Sequence, residues 1–105
     1  MKIYLSGPIR GVADYKDRFR KATAAVEALG HQAMDPAASP FDGGSLREVM
    51  RWDLFLLTAC DAILMLPGWE QSGGANIERY LAEYLGMRVY YKPEDIPEND
   101  MEAEI

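Results

Sequence analysis

The sequence has one cysteine, Cys60, so it can close no internal disulfide. Its apolar neighbours point to a buried thiol rather than a nucleophile. This usage fits a reducing compartment, and a cytoplasmic protein is expected. His31 is the single histidine, which leaves too few ligands for a dedicated zinc site. Neither a metal nor any other cofactor is expected. No segment approaches the roughly 18 apolar residues of a membrane span, and the chain opens directly on Lys2-Ile3-Tyr4-Leu5 with no signal-peptide pattern. A membrane partner is therefore not expected. A basic excess is missing too. The net charge is −6, and six acids (Glu94, Asp95, Glu98, Asp100, Glu102, Glu104) lie in residues 93–105 with no base among them. Residues 1–92 hold 11 acids and 11 bases, which offers no face for duplex nucleic acid. Residues 93–105, with two prolines and little to bury, read as an acidic tail that is solvated or docked on a partner subunit.

What remains is one domain, residues 1–92, with an ordinary apolar fraction and alternating strand and helix signals. Residues 2–6 predict a strand ending at Ser6-Gly7-Pro8. Asp14 predicts an N-cap for a helix carrying Tyr15, Phe19, Ala22, Val26 and Leu29 at spacings of four and three, with Gly30 just beyond its end. A short strand over 31–35 stops at Pro36, and a loop with Pro40, Gly43 and Gly44 follows. Ser45-Leu46-Arg47-Glu48 is a capping box for a helix running to about Ala59. Residues 62–66 are continuously apolar, as in a central parallel strand. A helix over 74–85 with Gly86 beyond it and a strand over 88–91 complete a βαβαβαβ pattern. This predicts a three-layer α/β fold, Rossmann-like or flavodoxin-like: a four-stranded parallel sheet with helices on both faces. Right-handed crossovers give the order 2-1-3-4. Ligands in such sheets bind beyond the carboxyl ends of the strands where the order reverses, here between strands one and three.

Two loops meet at that crevice. One is Ser6-Gly7-Pro8-Ile9-Arg10-Gly11. The other, Pro67-Gly68-Trp69-Glu70-Gln71-Ser72-Gly73-Gly74, leads into a helix whose first amides have no intrahelical acceptor and suit a polar or anionic ligand. Glu78 lies six residues after Ser72, about one and two-thirds turns, which brings its carboxylate toward the loop side of the sheet. It is either a surface glutamate on an ordinary strand-to-helix turn or a group poised for sugar or nucleotide chemistry. On the preceding helix, Asp53 falls inside a stripe formed by Leu46, Val49, Met50, Leu56, Leu57 and Cys60. A carboxylate aimed at a core is costly unless hydrogen-bonded. Asp53 therefore either satisfies amides of the first loop or is an acid with a raised pKa, ready to share a proton with a ligand. Arg10 is an anion contact or a salt-bridge partner, and Trp69 a platform for a base or a loop hydrophobe. Tyr4 needs a partner for its hydroxyl if buried, and Glu78 is the candidate. His31 reads as a surface residue.

Three segments in order make the chain resemble the nucleoside 2-deoxyribosyltransferase family, and within it the nucleoside 5′-monophosphate N-glycosidase branch. They are Ile3-Tyr4-Leu5-Ser6-Gly7-Pro8-Ile9-Arg10-Gly11, Asp53-Leu54 with Asp61 eight residues later, and Ser72-x-Gly74-x-x-x-Glu78. The resemblance implies Glu78 as nucleophile, Asp53 as helper acid and Tyr4 as the residue orienting Glu78. It also implies a ligand-contact set of Ser6, Gly7, Ile9, Arg10, Gly11, Trp69, Ser72 and Gly74. The implied reaction is cleavage or transfer of the N-glycosidic bond of a small-molecule nucleoside or nucleotide, with release of free base. The same loops would serve a non-catalytic module that senses or sequesters a nucleotide. The trio Tyr4, Asp53 and Glu78 favours the enzyme, because binding alone does not require it. Trp52, Phe55, Tyr80 and Tyr84 exceed what a four-stranded core buries, so a homodimer or larger homo-oligomer through the second and third helices is expected.

Overall fold

The computed structural model describes residues 1–38 and 44–99. Its strands are β1 (Lys2–Ser6), β2 (Gln32–Met34), β3 (Ala62–Met65) and β4 (Arg88–Tyr90), and its helices are α1 (Tyr15–Ala28), α2 (Leu46–Thr58) and α3 (Gly73–Tyr84). The four strands are parallel in the order β2-β1-β3-β4, as the sequence predicts. Predicted and observed element ends differ by at most one residue. Ser45 caps α2, its Oγ accepting from the Glu48 amide at 3.2 Å, while Asp14 gives α1 no side-chain cap and pairs instead with Arg18 at 3.1 Å. The loop residues Pro40 and Gly43 and the acids Asp100, Glu102 and Glu104 lie outside the described residues. Among the described residues no helix is long and apolar enough to cross a membrane.

The period-two alternation of a strand divides the interior into two layers. Ile3 and Leu5 of β1 and Ala62 and Leu64 of β3 pack toward α1, against Phe19, Ala22 and Val26. Tyr4 of β1 and Ile63 and Met65 of β3 pack toward α2 and α3, against Leu57, Cys60, Ala75 and Ala82. At the lower edge, Asp61 ties β1 to β3: its amide donates to the Lys2 carbonyl and its carboxylate accepts from the Lys2 amide, both at 2.8 Å. At the upper edge Gly7 passes Leu66 so closely that a Cβ would come within 2.8 Å of the Leu66 Cβ, which only glycine allows.

The chain does not leave the body at residue 92, after which the sequence reading placed an acidic tail that is solvated or docked on a partner subunit. A 3-10 turn at Pro93–Asp95 delivers Ile96 into the α1-side core, where it is 4% exposed. Asn99 then donates from its amide to the Leu29 carbonyl at 2.8 Å and from its side chain to the Gly30 carbonyl at 2.9 Å. The His31 ring bridges the Met1 amino group at 2.9 Å and the Pro97 carbonyl at 2.6 Å, so it is a fastener rather than a bare surface residue. One buried isoleucine outweighs the acidic composition around it. Ile96→Ala should cost about 2–4 kcal/mol in urea unfolding, whereas Glu98→Ala, an exposed site, should stay within about 0.5 kcal/mol. Equal stability of Ile96→Ala and wild type would mean that residues 93–99 add nothing to the fold.

Candidate active site

At the carboxyl ends of β1 and β3 the structure opens a cleft of about 710 Å³. Residues Gly7–Gly11 form one wall, Gln71–Ala75 another, and Val49, Met50 and Asp53 of α2 a third. Tyr15, Phe19, Pro36 and Ala37 extend it toward α1. The turn after β3 depends on Gly68, whose φ of +88° is strained for other residues. Ser72 caps α3, its Oγ accepting from the Ala75 amide at 3.2 Å. The hydroxyl proton is still available to a ligand.

Glu78 is buried at 5% exposure and is one of the residues lining the cleft. The buried residues of α3 are Ala75, Glu78 and Ala82, while Ile77, Tyr84 and Leu85 are exposed. Its inward face is therefore centred on Glu78 and two alanines, not on its larger apolar residues. The small alanines bring the helix close to the sheet. Tyr4 and Ser6, two residues apart on β1 and hence on one side of the sheet, both reach the Glu78 carboxylate. The Tyr4 hydroxyl donates to Oε2 at 2.7 Å and the Ser6 hydroxyl to Oε1 at 2.6 Å. Burial pushes Glu78 up to about 7; the Ser6 and Tyr4 hydrogen bonds oppose the shift and the Asp53 charge adds to it. Burial, then the Glu78 charge, drives the Tyr4 phenol far above its ordinary range, so it remains a donor.

Asp53 is 4% exposed and also lines the cleft. Its Oδ1 has no hydrogen-bond partner among the described residues, and burial pushes the acid up to about 6. The alternative in which Asp53 caps the amides of the first loop finds no such bond to Oδ1. A buried oxygen left open on a cleft wall is free to receive a ligand's donor. Arg10 lines the cleft and is exposed. Two expected ligand contacts do not face the cleft. Ser6 is 1% exposed and spends its hydroxyl on Glu78. Trp69 turns the other way, toward the α3 and β4 side, with the Arg79 guanidinium 5.0 Å above its ring and Tyr91 5.8 Å from it. Among the described residues Tyr15 is the half-buried aromatic side chain that lines the cleft, and the sequence reading used it only as a core position of α1. No group of three or more His, Cys, Asp or Glu side chains among the described residues could hold a metal ion.

The family model described as "Domain of unknown function (DUF4406)" matches residues 1–91. The chain belongs to that family. No curated protein matches it. Among solved structures, this DUF4406 protein is similar to 2-deoxyribosyltransferase from the psychrotolerant bacterium Bacillus psychrosaccharolyticus, with a TM-score of 0.66 and 24% sequence identity. The match covers 96% of this chain and 79% of that one, and it shows a common fold.

Because both carboxyls are raised, each favours folding while protonated. That contribution is complete below their ordinary values of 3.8 and 4.5 and is lost as pH rises through about 6 for Asp53 and about 7 for Glu78. Unfolding measured from pH 4 to pH 8 should show stability falling across this window. Asp53→Asn keeps the shape without the unpaired charge, so it should flatten the fall and exceed wild type in stability at pH 8. A less stable Asp53→Asn at pH 8 would mean that the ionised carboxylate is satisfied after all.

Proposed function

We propose that this protein breaks the N-glycosidic bond of a nucleoside or nucleotide through Glu78, releasing the base and passing the sugar to water or to a second base. One observation carries the reading. A buried carboxylate, fixed at both oxygens by two hydroxyl donors from β1, looks into a ligand-sized cleft beside a second acid. Core packing alone gives no reason for that arrangement. The fold shared with a 2-deoxyribosyltransferase, described as a biocatalyst for nucleoside synthesis, and the three motifs noted in the sequence support the same assignment.

The residues divide the work as follows. A Glu78 oxygen attacks C1′ as the C1′–N bond breaks, and the bond's electron pair leaves with the base. Asp53 supplies the proton that the departing nitrogen takes up. Water or an incoming base then attacks C1′ of the glycosyl ester, gives its proton back to Asp53 and frees Glu78, as in retaining glycoside hydrolysis. Tyr4 and Ser6 hold the carboxylate in one orientation throughout. Arg10 and the open amides at the start of α3 supply the positive side of an otherwise acidic cleft, suited to a phosphorylated sugar.

Glu78 must be ionised while Asp53 is protonated, and the two are coupled, because an uncharged Asp53 removes one of the causes that raise Glu78. Turnover should therefore be bell-shaped in pH around the interval between about 6 and about 7, falling on the acid side as Glu78 takes up a proton and on the alkaline side as Asp53 loses its own. Glu78→Gln should abolish base release from a panel of deoxynucleosides and their 5′-monophosphates, and a 2-fluoro nucleoside analogue should leave a sugar-sized adduct on the wild-type peptide containing Glu78. Base release by Glu78→Gln at the wild-type rate would overturn the mechanism. Binding without cleavage by both proteins would favour a nucleotide sensor.

The same reading includes self-association through α2 and α3, which lie on one side of the sheet. Phe55, Tyr80 and Tyr84 are 65, 70 and 78% exposed, and Trp52 stacks on Phe55 at 5.9 Å. Such an apolar face is costly to leave in water. Light scattering at micromolar concentration should give at least twice the chain mass of 11.8 kDa. A single-chain mass would count against it.

A further inference from the structure

The second cleft wall is held from behind by a side chain that does not itself line the cleft. Asn76, in the first turn of α3, donates its side-chain amide to three backbone carbonyls: Ser72 at 2.9 Å, Glu70 at 3.1 Å and Trp69 at 3.3 Å. An amide has two hydrogens, so one is shared. The three acceptors span the short 3-10 turn Trp69–Gln71 and the α3 cap residue. One helical turn further on, Arg79 lies over the Trp69 ring at 5.0 Å, with Tyr91 at 5.8 Å from the same ring. Backbone and ring of Trp69 are thus both gripped by α3. The opposite side of the same turn, Gln71 to Gly74, is cleft wall. Two residues beyond Asn76 on the same helix is Glu78.

We infer that Asn76 is a positioning residue, locking the glycine-rich loop to α3 so that the loop's ligand-binding groups and the Glu78 carboxylate keep a fixed separation. Gly73 and Gly74 leave this wall little side-chain stiffness of its own. A Cβ at Gly73 would meet nothing within 4 Å. Glycines lose more freedom on ordering than other residues, so a donor that pins the flanking carbonyls offsets a real cost. Trp69, read from the sequence as a platform for a base or a loop hydrophobe, is the handle by which the loop is held. The inference rests on the glycosidase reading for what the loop binds, but not for the clamp itself.

Two measurements on the full chain separate those parts. Amide hydrogen exchange needs no ligand. In Asn76→Ala, the amides of Gln71, Ser72 and Ala75 should exchange about tenfold faster or more, while those of β3 and of Leu85 to Met87 keep their wild-type rates. Unchanged exchange in the loop overturns the clamp. With the deoxynucleotide that wild type cleaves fastest, Asn76→Ala should raise KM about tenfold, a factor equivalent to roughly 1.4 kcal/mol. The acidic limb of the pH profile should not move, because Tyr4 and Ser6 still hold Glu78. A lowered Tm with KM unchanged reduces Asn76 to a helix-stabilising residue and overturns positioning. If Asn76→Ala does not fold, Asn76→Ser, with one hydroxyl donor, should give the same signs at smaller size. If wild type cleaves no nucleotide, the glycosidase reading fails; the dissociation constant for deoxyadenosine 5′-monophosphate then replaces KM, and equal values for both proteins overturn positioning.

Discussion

The two hydroxyls of β1 that close on the Glu78 carboxylate are the constraint around which this end of the molecule is arranged. A carboxylate so buried is tolerated because its oxygens are met by donors at short range. Meeting both oxygens requires residues two apart on one strand, since only those share a face. It also requires a helix close enough for Glu78 to reach that strand over the sheet, which Ala75 and Ala82 permit. The parallel order with β1 central then places the pair at the switch point, where loops rather than strands surround the opening. Had β1 been an edge strand, the same residues would face one loop and solvent.

Most of the architecture was legible because its signals are local and repeated. Five continuous apolar residues mark β3, glycines mark the helix ends, and a capping box marks the start of α2. The strand order follows from handedness once the elements are known. Asp53 was legible for a different reason: a carboxylate inside an apolar stripe conflicts with its neighbours, and such conflicts concentrate at sites. Tyr4 with Glu78 was within reach of the same reasoning. Ser6 was read as a ligand contact because its loop neighbours are, although strand alternation puts it beside Tyr4.

Other features were less legible, each for a physical reason. The inward face of α3 is centred on alanines and a glutamate, which a hydrophobicity stripe underweights, so the sequence left a surface position for Glu78 open. Trp69 faces away because the left-handed Gly68 and the 3-10 turn set its direction, and no periodicity reports that. Asn76 gave no sequence signal at all: an asparagine early in a helix is ordinary, and its three acceptors are defined only once the turn has folded. The tail looked soluble by composition, yet Ile96 is placed by a 3-10 turn that the acidic average conceals. Loop chemistry is written in three dimensions, and the sequence shows mainly where a loop begins and ends.

The anchoring of Asn99 beside Leu29 and Gly30 has one further consequence. Those residues precede β2, at the amino-terminal edge of the sheet, while the cleft opens at the carboxyl-terminal edge. Asn99 is therefore held at the pole opposite the opening. A change at Asn99 thus acts on stability from the side of the sheet away from the entrance, and binding and folding are separable there.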